Sequence, residues 1–355
     1  MKVLYTSLYD SRFSMGGAEK VLLDLALCVR RDFGAEVACA VNSGDLEREL
    51  HVAGIPVYRI PVEKWRAPET LWRYQEIFRG FRPDVVHSHH RFTTFLLDLV
   101  FKKQFKILHT EHVLRQDKAR WFRYGHRASA VHESVRLNLI RHFGVPPEAV
   151  VTIQNAVKCS APVMDNVTDL KEAHAGTVHA LCIGRFETQK GHRYLVEGVS
   201  RLPENFRARL KIFLAGDGPL LHEIEDLAEQ LSVRSQFVFL GYVRSMADYL
   251  AFCDFLILPS LWEGMPLVLL EAAASGRAVI ATDIPGSRES LRAGQTGILV
   301  PPADAEALAG ALRDFMEHPE KVRAMGEAGL RLSEREFSHA AMMKHYWDLY
   351  SALLV

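Results

Sequence analysis

Several absences narrow this 355-residue chain before any motif is considered. Its five cysteines, Cys28, Cys39, Cys159, Cys182 and Cys253, stand singly with no CxxC pair. That excludes a disulfide framework or a ribbon-type zinc site, and suits buried reduced thiols in a cytoplasmic protein. No apolar run approaches the ~18–20 residues that span a bilayer. The longest tempting piece, Phe92–Phe101, is short and carries Asp98. The opening Met1–Ser7 has the pattern of a first strand rather than a signal peptide. There is no GxGxxG, which speaks against a nicotinamide dehydrogenase. There is no Asp-x-Asp either, so the usual carboxylate pair for holding Mg²⁺ or Mn²⁺ against a diphosphate is missing. His87, His89 and His90 lack a second ligand cluster at metal spacing and suit wall or structural roles.

Formal net charge is zero and charged residues make up 24% of the chain, a globular composition without the basic excess of a nucleic-acid binder. The charge is unevenly placed. Residues 1–150 hold 23 Lys and Arg against 17 Asp and Glu, and within 64–141 the count is 16 against 7. A basic first half in a neutral whole points to an anionic partner, either a membrane surface or a phosphorylated acceptor.

The length implies two domains. Strand-like and helix-like segments alternate from Val3 to Gln154, as in a doubly wound parallel sheet. The pattern lapses over 157–177, then a second alternating series begins at Val178. The expected organisation is an α/β protein with a Rossmann-like domain at 1–160, a linker at 161–177, a second Rossmann-like domain at 178–335 and a C-terminal helix at 336–355. A cleft between two such domains is the default ligand site.

The most informative stretch is Glu263-Gly264-Met265-Pro266-Leu267-Val268-Leu269-Leu270-Glu271. Pro suits a helix's first turn, which predicts a helix from near Pro266 to Ser275, stopped by Gly276. The preceding Asp254–Ser260 has the apolar run of a buried parallel strand. Glu263 then stands at a strand's carboxyl end, where open α/β sheets bind ligands, and Glu271 about one and a half turns into the helix. Between them lie the unpaired N–H groups of a helix N-terminus, suited to an anion. Two hydroxyl-gripping carboxylates around a phosphate-sized positive end fit a sugar linked to a nucleotide diphosphate. In Gly184-Arg185-Phe186-Glu187-Thr188-Gln189-Lys190-Gly191, the first loop of the second domain, Arg185 and Lys190 would neutralise the diphosphate. Gly16-Gly17-Ala18-Glu19 opens the first helix and lets backbone approach a phosphate. His112 ends a first-domain strand, and Gly241-Tyr242-Val243 follows another strand where it could pack against a base.

Together these pieces, with Gly216-Asp217-Gly218-Pro219 and Thr296–Pro302, resemble the retaining glycosyltransferases of family 4, which have the GT-B fold. They occur in the family's order along nearly the whole chain. The resemblance implies a nucleotide-sugar donor, UDP- or GDP-linked, held mainly by the second domain, and a sugar or lipid-linked acceptor held by the first. It assigns Glu263 to the donor sugar's hydroxyls, with the backbone of Gly264, Met265, Pro266 and Leu267 near sugar and phosphate. Glu271 goes to the ribose, Arg185, Lys190 and the Gly17 backbone to the diphosphate, and His112 to the transferred sugar near the reacting carbon. The implied chemistry retains anomeric configuration and needs neither a metal cofactor nor a protein nucleophile. One departure is Gln154-Asn155-Ala156-Val157-Lys158, where many relatives have Asn-Gly-Val-Asp.

Lys118-Ala119-Arg120-Trp121-Phe122-Arg123-Tyr124 interleaves cations with aromatics and, with Lys102, Lys103, Arg73, Arg79 and Arg82, suits peripheral contact with an anionic membrane at the cytoplasmic face. Rival readings are a nucleotide-sugar epimerase or a catalytically silent nucleotide-sugar-binding protein of the same fold. The intact Arg185, Lys190, Glu263 and Glu271 set favours transfer.

Overall fold

The computed structural model describes residues 1–8, 15–42, 44–61, 66–115, 122–158, 162, 167–243 and 246–355. The chain divides into two compact units, one of Met1–Asn155 with His339–Val355, the other of Ala156–Ser338.

The first unit is built on a seven-stranded parallel sheet. Its strands are β1 (Lys2–Ser7), β2 (Glu36–Val41), β3 (Val57–Arg59), β4 (Val85–Ser88), β5 (Lys106–Glu111), β6 (Arg127–Ala130) and β7 (Val150–Thr152), in the order β3-β2-β1-β4-β5-β6-β7. Runs such as Val3-Leu4-Tyr5 and Val37–Val41 are buried along their length, as strands covered on both faces must be. The order reverses between β1 and β4, and it is at the carboxyl ends of strands flanking such a reversal that open α/β sheets bind ligands.

The chain leaves this unit for 183-odd positions of the second and returns as the helix His339–Leu354. That helix buries Met342, Met343, Tyr346, Tyr350 and Leu353. Tyr350 Oη lies 3.1 Å from Tyr5 Oη, and His339 Nε2 lies 2.5 Å from Asp24 Oδ2 on the first helix.

The second unit carries a six-stranded parallel sheet. Its strands are β8 (Val178–Ile183), β9 (Leu210–Ala215), β10 (Phe237–Gly241), β11 (Phe255–Leu258), β12 (Ala278–Thr282) and β13 (Gly297–Val300), ordered β10-β9-β8-β11-β12-β13. Here the reversal falls between β8 and β11. One core packs Phe186, Leu195, Ile212, Phe255, Ile280 and Phe315, and another packs Val167, Phe213, Leu256 and Leu269.

Three differences from the sequence expectation are local. A helix, Thr168–Ala173, forms inside the stretch expected to be an irregular linker, and Val167 beside it is fully buried. The helix expected from Pro266 to Ser275 spans Leu267–Ala274, with Pro266 as its cap. Helix Pro285–Ser290 and strand β13 were not foreseen. Asp304 caps the helix Ala305–Glu317, accepting the Ala307 N–H at 2.9 Å.

Candidate donor and transfer sites

In the second unit, Lys190 and Glu263 leave the adjacent strands β8 and β11 at the reversal point, and their side chains meet. Lys190 Nζ donates to Glu263 Oε1 at 2.5 Å. Ser260 Oγ donates to the same oxygen at 2.8 Å, and Gln189 Nε2 reaches Oε2 at 3.2 Å. Glu263 is 8% exposed. A carboxylate this buried is tolerable only when charge-paired and hydrogen-bonded, as it is here. Ser260 is anchored in turn because its carbonyl accepts the Thr282 hydroxyl from β12.

Two glycines allow this closeness. Gly191 has φ +65°, and a Cβ there would stand 2.1 Å from the Pro259 carbonyl oxygen. A Cβ on Gly286 would stand 1.8 Å from the Gly264 carbonyl oxygen. Only bare backbone at these points lets the Lys190 loop and the Pro285–Ser290 helix press on either side of the Glu263 loop.

Arg185 sits in the same post-β8 loop, with Nη2 3.2 Å from Glu187 Oε2. The loop is pinned by the Phe186 N–H to the Asp217 carbonyl at 3.0 Å and by Phe186 stacking on His192 at 4.3 Å between centroids. Gly264, Met265 and Pro266 link Glu263 to the first turn at Leu267. Glu271 lies within that helix, partly buried. Val243, 7% exposed, follows β10, and Tyr242 before it is 46% exposed. The carboxyl ends of β8, β9 and β10 are tied together, since the Gly184 N–H donates to the Ala215 carbonyl at 3.0 Å and the Gly216 N–H to the Gly241 carbonyl at 2.8 Å.

His112 and Gly17 belong to the first unit. Gly17 begins the helix Gly17–Phe33, where the Glu19 carboxylate accepts the Gly16 N–H at 2.8 Å. His112 follows β5, and its Nε2 lies 2.9 Å from His89 Nδ1. Around this pair is a buried polar cluster. His87 Nδ1 meets Tyr350 Oη at 2.7 Å and its Nε2 meets Thr110 Oγ1 at 2.6 Å. Burial pushes His87 and His89 well below the usual imidazole range, assisted by the neighbouring histidines. Burial likewise lowers His112 to about 4, with Glu111 pulling the other way and His109 adding to the drop. For Glu111 burial favours the neutral acid, but the His109 imidazole, 3.6 Å away, and the charges of Arg91 and Arg115 outweigh it and hold the carboxyl at about 2. At neutral pH the site therefore presents uncharged imidazoles beside a fixed carboxylate.

Sequence reasoning singled out Lys190 and Glu263 but missed Ser260, Gln189, Thr282 and Gly286, which orient them. The available signal is Pro285-Gly286 shortly after β12, a Pro-Gly dipeptide whose glycine marks close backbone approach. The sequence suits His89 to a wall role. Its contact with His112 depends on the register of β4 beside β5, in which Ser88 faces His109, and on two side-chain rotamers.

Among the described residues, Asp24, Cys28 and His339 are the one group whose metal-type ligand atoms gather within 4.8 Å of one another. The His339–Asp24 ion pair accounts for that grouping. No helix among the described residues is long and apolar enough to cross a membrane. Of the basic aromatic stretch, 118–121 lies outside the described residues. Arg91 stacks over Phe122 at 4.7 Å and Lys102 over Tyr124 at 5.5 Å. Trp72, Leu99 and Val100 are exposed on the same unit.

Comparison with known proteins gives a consistent picture. The family model for glycosyl transferases group 1 matches residues 171–331, and that for Glycosyltransferase Family 4 matches residues 15–161. The chain is 28% identical to N-acetyl-alpha-D-glucosaminyl L-malate synthase of Bacillus anthracis over 291 residues, 76% of this chain and 75% of that one. It is 30% identical to the lipopolysaccharide core biosynthesis glycosyltransferase LpsE of Rhizobium meliloti over 48% of each chain. The chain spans less than half the length of several of the curated relatives it matches. The crystal structure of HepE from Anabaena in complex with UDP superposes with a TM-score of 0.84 at 17% identity, covering 99% of this chain and 100% of that one. The same protein has been solved with UDP-glucose. The shared fold is GT-B, two Rossmann-like parallel-sheet domains.

Proposed function

This chain belongs to the family 4 glycosyltransferases of GT-B fold, and from that premise we propose that it moves a hexose-type sugar from a nucleotide diphosphate to an acceptor hydroxyl with retention of anomeric configuration. The observation that carries the proposal is the Lys190–Glu263 pair at the reversal point between β8 and β11. A cation and a buried carboxylate within one hydrogen bond of each other support a diphosphate and sugar hydroxyls as the groups bound.

In this reading Glu263, gripped by Lys190, Ser260 and Gln189, keeps lone pairs for the donor sugar. Its orientation is set before the ligand arrives, which limits the ordering cost of binding. Lys190 and Arg185 stabilise charge on the departing diphosphate. The bond from the anomeric carbon to the phosphate oxygen breaks as the acceptor oxygen bonds to that carbon on the same face. The acceptor's proton passes to the phosphate oxygen that leaves. His112, uncharged at neutral pH, supplies a hydrogen bond to the transferred sugar. Glu271 holds the ribose, and Gly17 and the Gly264–Leu267 backbone approach the phosphates. Val243 lies against the base.

We further propose that no metal is required, since Arg185 and Lys190 supply the charge that an Asp-x-Asp-bound cation otherwise would. The proposed acceptor is a sugar or a lipid-linked sugar in cell-envelope polysaccharide or glycolipid synthesis, met at the cytoplasmic membrane surface through the basic stretch at 64–141. Names among the relatives, such as LpsE, support this setting.

The test is incubation of purified protein with a panel of UDP- and GDP-sugars, measuring nucleotide diphosphate release with and without EDTA. Release from one donor that survives EDTA is the expected result. Loss of activity in EDTA overturns the metal-free mechanism, and no release from any donor with any acceptor tried overturns the transfer reading in favour of a binding protein. Flotation with liposomes containing anionic lipid at low salt tests the membrane contact, and absence of flotation removes it.

A further inference from the structure

The buried histidines of the first unit fix a proton position. His89 is 3% exposed. Its Nδ1 lies 2.9 Å from His112 Nε2, with the two rings 5.1 Å apart and 25° from parallel. Its other nitrogen, Nε2, is buried without a hydrogen-bond partner among the described residues. A neutral imidazole carries one proton on one of these two nitrogens. Burying an N–H with no acceptor costs about 1–3 kcal/mol, and orphaned donors are rarer in folded proteins than orphaned acceptors. The proton of His89 therefore belongs on Nδ1, where His112 accepts it, and Nε2 is the bare nitrogen. His112 Nε2, now an acceptor, carries no proton of its own. The single proton of neutral His112 must then sit on Nδ1.

We infer that His89 is a positioning residue for His112, locking it in the Nδ1–H tautomer so that the group offered to the transferred sugar is an N–H donor of fixed identity. This rests on the sugar-contact role proposed for His112 above. The pair is braced from behind. The His87 ring lies against His89, 4.2 Å between centroids, and both His87 nitrogens are engaged, one by Tyr350 on the returning helix and the other by Thr110 on β5. Among the described residues, the other charged or titratable groups around the pair are Tyr5, His109, Glu111, Arg91 and Arg115. The Arg91 Nε–Glu111 bond, at 2.6 Å, keeps that carboxylate occupied. A donor of fixed identity is useful where a sugar hydroxyl must be gripped through its oxygen while charge develops at the anomeric carbon.

Two readouts test this. The first is independent of catalysis: long-range ¹H–¹⁵N correlation spectra of the full chain, assigned with His89→Ala and His112→Ala, report which ring nitrogen of each histidine is protonated. Both rings in the Nδ1–H form is the expected result. An Nε2–H form of His112 overturns the inference even if the enzyme is active. The second is kinetic, on the donor that the panel identifies. His89→Ala and His89→Gln are expected to lower kcat by about tenfold or more with donor KM little changed, because the ground-state grip survives and the aligned donor does not. His89→Asn, whose amide sits where Nδ1 was, is expected to recover most of the loss. Equal kcat for the Ala and Asn variants, both with native circular dichroism, overturns the tautomer role. If wild-type protein shows no transfer with any donor, the functional reading fails while the spectra still decide the proton's place.

Discussion

The two units repeat one plan and fill it with opposite chemistry. Each is a parallel sheet whose strand order reverses once, between β1 and β4 in the first and between β8 and β11 in the second. At the second reversal the chain puts opposed charges, Lys190 and Glu263. At the first, and on the strand beside it, it puts imidazoles kept neutral by burial, His87, His89 and His112. The fold supplies the location and leaves the electrostatics open. A diphosphate needs standing charge near it. In the proposed reading the charged pair serves the diphosphate and the neutral imidazole serves the transferred sugar.

That contrast can be broken most sharply at the charged end. Glu263→Ala or Lys190→Ala is expected to lower nucleotide diphosphate release by about a hundredfold, measured at saturating donor. The next effect is architectural. Gly286→Ala would drive a methyl group into the Gly264 carbonyl, and is expected to cost about 1–3 kcal/mol in urea unfolding while raising donor KM. Gly310→Ala, where nothing stands within 4 Å, serves as its control.

The neutral end has its own signature in acid. His87, His89 and His112 bind protons in the unfolded chain near pH 6.5 but resist them when folded. Below about 6.5 the unfolded state thus holds more protons, and stability falls as pH drops toward 4. Glu111, held at about 2, adds its own loss below its ordinary value of 4.5. Thermal unfolding from pH 7 to pH 4.5 is expected to show this decline, and a flat profile would mean the cluster is not buried neutral. The smallest effect has the reverse sign. The Asp24 carboxylate, followed by Cys28, raises His339 to about 9. This pair stabilises fully below pH 6.5 and is lost as pH rises through 9. Asp24→Asn should remove that alkaline slope and lower Tm near pH 7 by about 2 °C, since the pair is partly solvated.

How much of this was legible beforehand differs between the units in the same way. The second unit's site is largely written in consecutive residues: Arg185 and Lys190 share a loop, and Glu263 to Glu271 form one strand-to-helix passage. Alternating apolar runs are enough to place the first sheet and the second as far as β12, but not its edge strand β13. The first unit's site is assembled from β4, β5 and the returning helix, which lie far apart in the chain. His89 meeting His112, and Tyr350 meeting His87, depend on sheet register and rotamers that no local pattern encodes. The same limit hid Ser260 and Thr282, whose roles appear only when β11 and β12 pair.

The returning helix also imposes an order of events on synthesis. The second unit is continuous in sequence and can close by itself, whereas the first needs residues 339–355. At ribosomal rates roughly 10–40 s separate completion of β7 from arrival of those residues. Throughout that interval Tyr5 and His87 have no Tyr350 to pair with, and the apolar surface meant for Met342, Met343 and Tyr346 is open. The unit made first is the one finished last, so a stalled or clipped chain would carry a complete second unit and an incomplete first one, a form that chaperones and proteases can distinguish from the finished protein.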